Sequence, residues 1–216
     1  VIWESGGSLR KRGIFKEYKK KRKPQKLNRA YEEIPDTLEN RNKQIAFITR
    51  ALKNTPIVQI YVPDCEADDI IGYICNNIEK NKKTLIISSD RDYYQLVTEN
   101  INIYSPTWKK IVTSKEISPQ NFCLAKCLAG DPSDNIDGIK GLGFKTISKR
   151  YPGLSGEKSI LIDDIIDISK NKVKEGSKVL SYKRVAENEK TIRRNWKLIH
   201  LDVSCLSHEH IKKMNY

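Results

Sequence analysis

Seven carboxylates stand in three short groups along this chain, and they are the residues whose types and spacing most clearly indicate chemistry. The groups are Glu66, Asp68 and Asp69, then Asp90 and Asp92, then Asp131 and Asp134. Carboxylates packed together repel and raise each other's pKa unless a cation neutralises them. Mg²⁺ prefers such hard oxygen ligands, and a pair of ions can activate water against a phosphodiester. Metal-assisted hydrolysis is therefore the chemistry that these groups suggest.

The first group also has a simpler interpretation. It directly precedes apolar residues at helical spacing, which are Ile70, Ile71, Ile74 and Ile78. The acids therefore fall in the first turn of a predicted helix. Acids there cap unpaired N–H groups and complement the helix dipole. Because one acid is enough to cap a helix, the metal interpretation depends on whether the other two groups reach the same place.

Two predicted strands position the first two groups. A strand over 57–62 precedes the first group, and a second strand over 84–88 runs directly into Asp90. Strand–helix–strand alternation predicts a parallel sheet with helices on its faces. Sites in such sheets form beyond the carboxyl ends of the strands. We therefore expect the first two acid groups to converge.

The other predicted elements are a helix over 35–53, a short strand over 101–104 and a hairpin-like excursion over 108–113. Alternation stops near residue 114, and helical patterns dominate from residue 118 onward. One of these helices passes through Cys123 and Cys127 and ends at Gly130, just before the third acid group. We expect both cysteines to be core residues rather than metal ligands.

A glycine-rich turn follows the third acid group. Gly141 and Gly143 flank one apolar residue and lead into a helix that starts with Lys145 and Thr146. This pattern predicts a tight turn with exposed backbone N–H groups. A helix–hairpin–helix binds a DNA phosphate in this way without reading bases. An ordinary glycine-rich connection is the alternative.

The charge balance of the 216-residue chain indicates a polyanionic partner. Lys and Arg number 40 against 27 Asp and Glu, a formal net charge of +13. Nucleic acid is the first candidate and an anionic membrane the second. No apolar run reaches the length of a bilayer span and no signal-like segment opens the chain, so we expect no membrane partner. Five cysteines, an odd number, predict reduced thiols in a cytosol-like compartment.

Much of the positive charge lies in one segment near the start. Residues 9–22 are strongly basic, with Phe15 and Tyr18 interleaved. Such a segment suits contact with a phosphate backbone, and its aromatic rings suit stacking on unpaired bases. A solvated charged helix or loop is the alternative.

Three ordered blocks of this sequence resemble the 5′ nuclease or flap endonuclease family. They are Glu66-Ala-Asp-Asp69, then Ser89-Asp-Arg-Asp92 with Gln95-Leu96, then Gly130-Asp-Pro-Ser-Asp-Asn135 running into Gly138–Thr146. The family includes the 5′-3′ exonuclease domain of bacterial DNA polymerase I and the bacteriophage flap endonucleases. The resemblance spans nearly the whole chain. It implies an α/β fold with a PIN-like parallel sheet flanked by helices, followed by an all-helical helix–three-turn–helix region.

The resemblance also implies a division of the chain. Residues 1–114 would form the nuclease core, with a basic arch segment over about 8–34. Residues 115–216 would form the helical DNA-binding region, with the helix–hairpin–helix at 130–150. The family's opening strand has no counterpart here, so we expect a chain truncated at its N-terminus. Asp137 stands where the family usually has Pro.

Two Mg²⁺ ions, with Mn²⁺ as a substitute, are implied by the same resemblance. Matched by position, the first ion would be served by four acids, Glu66, Asp68, Asp69 and Asp90. The second would be served by Asp92, Asp131 and Asp134. Glu4, where the family usually has Asp, joins the metal-binding set. A K⁺ ion at the helix–hairpin–helix is a further expectation.

The implied DNA contacts fall in two places. The arch would contribute Arg10, Tyr18, Lys19 and Arg22, of which Lys19 and Arg22 would be catalytic. The helix–hairpin–helix would hold duplex phosphate through Gly141, Gly143, Lys145 and Thr146.

The resemblance predicts a metal-dependent 5′-3′ exonuclease and structure-specific 5′ flap endonuclease of DNA replication or repair. We expect a cytoplasmic monomer that acts on DNA with 5′ flaps or 5′ ends. Two alternatives stay open at this point. One is a truncated DNA-binding module without catalysis, and the other is a PIN-type ribonuclease.

Overall fold

The computed structural model describes residues 1–4, 6–21, 34–202 and 206–214. Its first five strands are β1 (Ile2–Trp3), β2 (Ile60–Tyr61), β3 (Thr84–Ile87), β4 (Ile101–Ser105) and β5 (Lys110–Val112). β1 and β2 pair in parallel, as do β3 and β4, while β5 runs antiparallel to β4. The predicted parallel pairing is confirmed, but in the described ranges it is divided between two sheets.

The strand predicted over 57–62 is shorter than expected. Only Ile60 and Tyr61 are in strand conformation, paired in register with Ile2 and Trp3. Its described neighbour, β1, is equally short. Val58, inside the predicted strand, is 72% exposed.

The first helices are α1 (Leu9–Ile14), α2 (Leu38–Leu52) and α3 (Ala67–Tyr73), and α3 continues as a π-helical turn over Ile74–Ile78. The helix predicted over 35–53 is confirmed as α2, which begins where the Thr37 side chain accepts a hydrogen bond from the Asn40 N–H. None of the residues of α2 is buried, and its apolar side chains Leu38, Ile45, Phe47 and Ile48 are exposed.

Two apolar clusters fix α3 against the rest of the chain. Ile70 packs with Val62 and Leu206 on one side, and Ile71 packs against the larger cluster on the other. Gly72 lets the helix approach Leu201, since a Cβ there would lie 2.9 Å from the Leu201 Cβ. The apolar residues behind the first acid group therefore hold the start of α3 in place.

Helices dominate the second half, as predicted. They are α4 (Pro119–Ala129), α5 (Phe144–Arg150), α6 (Ile162–Lys174), α7 (Leu180–Glu187), α8 (Glu189–Ile199) and α9 (His208–Met214). Cys123 and Cys127 on α4 are buried in the larger cluster, which confirms their prediction as core residues. Among the described helices, none combines the length and the apolar composition needed to cross a bilayer.

A small ladder holds the third acid group at the end of α4. β6 (Gly130–Asp131) pairs antiparallel with β7 (Ile136–Asp137). Gly130 adopts a φ of +78°, and a Cβ on Gly138 would lie 2.1 Å from the Ala129 carbonyl oxygen. Larger residues do not fit at either glycine, so this close backbone contact fixes the loop that carries Asp131 and Asp134.

Candidate metal and nucleic-acid site

The first acid group lies at the start of α3, but its own N-cap residue does not cap the helix. Glu66 occupies the N-cap position and makes no capping hydrogen bond with its side chain. The Ala67 N–H instead donates to Glu4 Oε2 at 3.0 Å. Glu4 thus reaches the site from the end of β1, and the Glu66 carboxylate is available for other partners.

Glu66 is buried among cationic and phenolic donors. Its Oε2 accepts from Lys11 Nζ at 2.8 Å and from the Tyr18 hydroxyl at 2.9 Å, and its Oε1 accepts from Lys19 Nζ at 2.6 Å. Burial alone would raise the pKa of Glu66, but the charges of Lys11 and Lys19 lower it to about 2. Glu66 is therefore ionised at neutral pH.

The neighbouring acids of α3 differ in their surroundings. Burial raises the pKa of Asp69 to about 6, although Lys11 Nζ lies 2.9 Å from its Oδ1. In the described ranges no donor hydrogen-bonds to the buried Oδ2 of Asp69. Burial also raises the pKa of Asp68, which accepts a hydrogen bond from the Tyr93 hydroxyl. This pair of carboxylates has oxygen atoms to spare for a cation.

The second acid group follows β3, beside the first. Asp90 caps a 3-10 helix over Arg91–Leu96, because its Oδ1 accepts from the Asp92 N–H at 2.9 Å. Tyr93 of that helix donates to Asp68, and the Asp90 charge contributes to the raised pKa of Asp68. The structure therefore brings the first two acid groups together, as expected from the strand ends.

The third acid group joins Asp92. Asp92, Asp131 and Asp134 each place one carboxylate oxygen within 4.8 Å of the others, and we call these residues the carboxylate trio. Lys126 on α4 pairs with Asp92, and its Nζ lies 2.7 Å from Asp131 Oδ2. Burial would raise the pKa of Asp131, but the Lys126 charge lowers it.

Tyr18 and Lys19 connect the trio to Glu66. Lys19 Nζ lies 3.7 Å from Asp134 Oδ2, and the Tyr18 hydroxyl lies 3.5 Å from the same oxygen. The backbone fixes this position, since the Lys19 N–H donates to the Asp134 carbonyl at 2.9 Å. Asn135 Nδ2 also donates to the Glu17 carbonyl at 2.8 Å. All three acid groups therefore belong to one continuous site.

Three site residues were not predicted from the sequence: Lys11, Tyr93 and Lys126. Lys11 is buried against Glu66 and Asp69, whereas the predicted Arg10 is exposed. Nothing distinguishes Lys11 from its basic neighbours in the sequence. Lys126 does carry a signal, because it is the single charged residue within the 11 residues of α4. The predicted Arg22 lies outside the described residues.

The glycine-rich turn has the predicted geometry. Gly141 adopts a φ of +88°, and Gly143 is the N-cap of α5, whose first turn contains Lys145 and Thr146. The Arg184 side chain stabilises this turn, because its Nη1 donates a hydrogen bond to the Lys140 carbonyl at 2.9 Å. A cavity of about 520 Å³ separates this turn from Arg91 and from Trp108, which is half exposed.

A second cavity opens beside Glu66. It measures about 250 Å³ and is bounded by Gly6 and Gly7, by the Glu66 side chain and by the basic segment. Its cationic lining residues are Arg12, Lys16, Lys19 and Lys20. Cations gathered at one cavity favour an anionic ligand.

Comparison with known sequences decides the family. The family described as 5′-3′ exonuclease, N-terminal resolvase-like domain, matches residues 1–123, which is more than half of the chain. This chain belongs to the 5′-3′ exonuclease family. The resemblance predicted from the acid motifs is confirmed, and the family match includes the basic segment and the first two acid groups.

Known members of the family agree with this assignment. A 5′-3′ exonuclease of Buchnera aphidicola is 37% identical over 153 residues, covering 68% of this chain and 49% of that protein. The chain thus spans about half the length of the curated relatives it matches.

Solved structures share the fold. A bacteriophage T5 protein crystallised with metal ions gives a TM-score of 0.76 at 21% identity, over 100% of this chain and 81% of that chain. A T5 flap endonuclease in a complex with DNA and metal ions gives 0.72 at 21% identity, over 99% and 80%. These matches confirm the predicted α/β fold with its parallel pairing and helical second half.

Proposed function

We propose that this member of the family is a metal-dependent 5′-3′ exonuclease and structure-specific 5′ flap endonuclease that hydrolyses DNA in replication or repair. One observation carries the proposal. Acid groups from three separate parts of the sequence meet in one site, and Lys19 contacts both Glu66 and Asp134 within it. Binding modules need no such concentration of acids, because acids repel DNA unless cations neutralise them.

The donor set suits divalent metal ions. The carboxylate trio offers three oxygens within 4.8 Å of one another, and Asp69 has a buried oxygen without a hydrogen bond from any described residue. We assign Glu66, Asp68, Asp69 and Asp90 to a first Mg²⁺ or Mn²⁺, with Glu4 beside them. We assign the carboxylate trio to the second ion. When bound, such ions lower the pKa of a bound water and stabilise the leaving oxygen.

The remaining residues would guide the nucleic acid. Phosphates of a 5′ strand would pass the cationic cavity beside Glu66, and Lys19, which lines that cavity, would contact the strand at the acid site. Tyr18 would orient Glu66 through its hydrogen bond. We assign Arg10 and Arg22 to the same strand, on the resemblance and on their place in the basic segment. The bacteriophage T5 relative crystallised with DNA supports DNA as the substrate.

We also propose that the two parts of the chain have different functions. Residues 1–114, with the arch segment at about 8–34, would form the nuclease core, and 115–216 the DNA-binding region with the helix–hairpin–helix at 130–150. One apolar cluster spans both parts, for example through the Tyr94–Phe122 ring contact at 5.2 Å between centroids. The two parts would therefore act as a unit, in a cytoplasmic monomer.

The glycine-rich turn would hold duplex phosphate through Gly141, Gly143, Lys145 and Thr146, with K⁺ at its carbonyls. Lys145→Ala is expected to weaken duplex binding and to reduce the slope of log K against log salt by about 0.9, because one phosphate contact is lost. Fluorescence anisotropy of a labelled duplex in Ca²⁺, over a salt series, measures both quantities. Lys149→Ala is the matched control, since Lys149 is exposed one turn later on α5. Equal salt-dependence slopes for both variants would show that Lys145 does not contact the duplex.

A cleavage assay tests the function itself. The protein is given an end-labelled 5′-flap DNA with Mg²⁺, with Mn²⁺, or with EDTA, together with an RNA flap of the same sequence. We expect cleavage near the flap junction with either metal and none in EDTA. Binding of the DNA flap without cleavage under any metal would favour the DNA-binding module. Preferential cleavage of the RNA would favour the ribonuclease.

A further inference from the structure

Lys126 occupies the space between two members of the carboxylate trio. It sits near the C-terminal end of α4, with a side chain that is 10% exposed. Its ammonium pairs with Asp92 and lies 2.7 Å from Asp131 Oδ2. Asp131 is otherwise held by the Ser133 N–H, which donates to its Oδ1 at 2.9 Å. Oδ2, the Asp131 oxygen that faces Lys126, takes no part in the hydrogen bond from Ser133.

The position has a physical reason. Three carboxylates with oxygens within 4.8 Å of one another repel, and a single ammonium between two of them removes most of that repulsion. Lysine is a compact point charge on a flexible stem, so it fills a small gap between carboxylates and can withdraw along its stem. The ammonium and a divalent ion would be cations competing for the same carboxylate oxygens.

We infer that Lys126 is a built-in counterion of the carboxylate trio, which preforms the site before metal binds and is displaced from Asp92 and Asp131 when a divalent ion enters. This inference rests on the metal site of the proposed function. The divalent ion must compete with the Lys126 ammonium for the carboxylate trio. The ion therefore binds more weakly than it would to the same three carboxylates without Lys126.

Lys11 shows a contrasting arrangement at the other end of the site. It bridges Glu66 and Asp69 but is only 2% exposed, and it contacts no member of the trio in the described structure. Lys126 is less enclosed, and its partners Asp92 and Asp131 are each 14% exposed. An ammonium with an open side can leave its partners, whereas an enclosed one stays. Of these two lysines, we therefore assign displacement to Lys126.

Mn²⁺ binding measured by electron paramagnetic resonance tests the inference without catalysis. Lys126→Met keeps the stem and removes the charge, and should tighten one Mn²⁺ site by about tenfold, since a unit charge in contact with two ligands is lost. Lys82→Met is the matched control, because Lys82 is exposed and pairs only with Glu79 among the described acids. An affinity within twofold of wild type, in a Lys126→Met protein with wild-type circular dichroism, would overturn the inference.

A second measurement uses the wild type and does not depend on how the variant folds. Lysines are labelled with an amine-reactive acetylating reagent with and without saturating Mn²⁺, and each site is quantified by mass spectrometry. Displacement predicts that labelling of Lys126 rises at least about threefold when the ion binds, while Lys82 stays constant as the internal reference. Unchanged labelling of Lys126 with Mn²⁺ demonstrably bound at two sites would also overturn it.

The outcomes separate the two proposals. A wild type that binds Mn²⁺ and cleaves flap DNA, combined with a Lys126→Met variant of unchanged affinity, ends the counterion inference and leaves the nuclease proposal standing. A wild type that binds no Mn²⁺ at all ends both.

Discussion

Asp131→Asn is expected to lower the single-turnover rate of flap cleavage in Mg²⁺ by more than about 100-fold, beyond the 10- to 100-fold typical of losing an outer-shell partner. Asp131 belongs to the carboxylate trio, and its Oδ2 is the oxygen that faces Lys126. Asparagine keeps an oxygen for the Ser133 N–H but carries no negative charge. The loop should therefore keep its shape while the proposed second ion loses a ligand.

Rapid-quench measurement of flap cleavage at saturating protein isolates the chemical step from DNA binding. Asp167→Asn is the control, because Asp167 is an exposed acid of α6 and the substitution changes charge in the same way. Raising Mn²⁺ should restore part of the Asp131→Asn rate if the defect is one of metal affinity. A variant within about fivefold of wild type would mean that Asp131 is not a metal ligand.

The elements that position this site were largely predictable, because each follows from local chemistry. The apolar residues after Glu66 predict the helix α3, and the run into Asp90 predicts β3. The parallel direction of the strands then places the first two acid groups together. Gly130 predicts the end of α4, and its φ of +78° shows why glycine is needed there.

Where the prediction fell short, the cause lies in the partners of a segment rather than in the segment itself. The strand over 57–62 has the expected composition but only two residues of β1 to pair with. The helix α2 forms as predicted, yet its apolar face is exposed in the described structure. Apolar spacing along one segment defines a face that can be buried, whereas the segment that covers that face is set by the tertiary fold.

The pairings inside the site could not be read from the sequence. Lys11 and Glu66 are 55 residues apart, and Tyr18 and Asp134 are 116 apart. Eleven lysines and arginines stand within residues 1–29, and composition alone does not show which of them turns inward. Glu4 was predicted as a metal-site residue, but its role as the cap of α3 depends on β1 ending beside β2.

Lys19→Met is expected to lower the single-turnover rate of flap cleavage by about 100- to 1,000-fold, the effect of removing one donor that stabilises charge in a transition state. Lys19 is held at a backbone φ of +56°, which costs a non-glycine residue about 1 to 2 kcal/mol. The hydrogen bond from its N–H to the Asp134 carbonyl offsets part of that cost. Lys19 thus adopts an unfavourable backbone conformation between Glu66 and Asp134. Such strain is typical of functional sites, and we expect Lys19 to do more than attract DNA by its charge.

The same variant separates catalysis from binding. Lys19 Nζ pairs with Glu66 in the structure, and a metal ion bound at Glu66 would free the ammonium to contact the reacting phosphate. Flap affinity measured in Ca²⁺ should therefore change by less than about threefold, while the rate in Mg²⁺ collapses. Lys82→Ala, at an exposed lysine outside the site, should change neither. If affinity and rate fall by the same factor in Lys19→Met, then Lys19 only holds the strand, and the transition-state charge must be stabilised by other groups of the site.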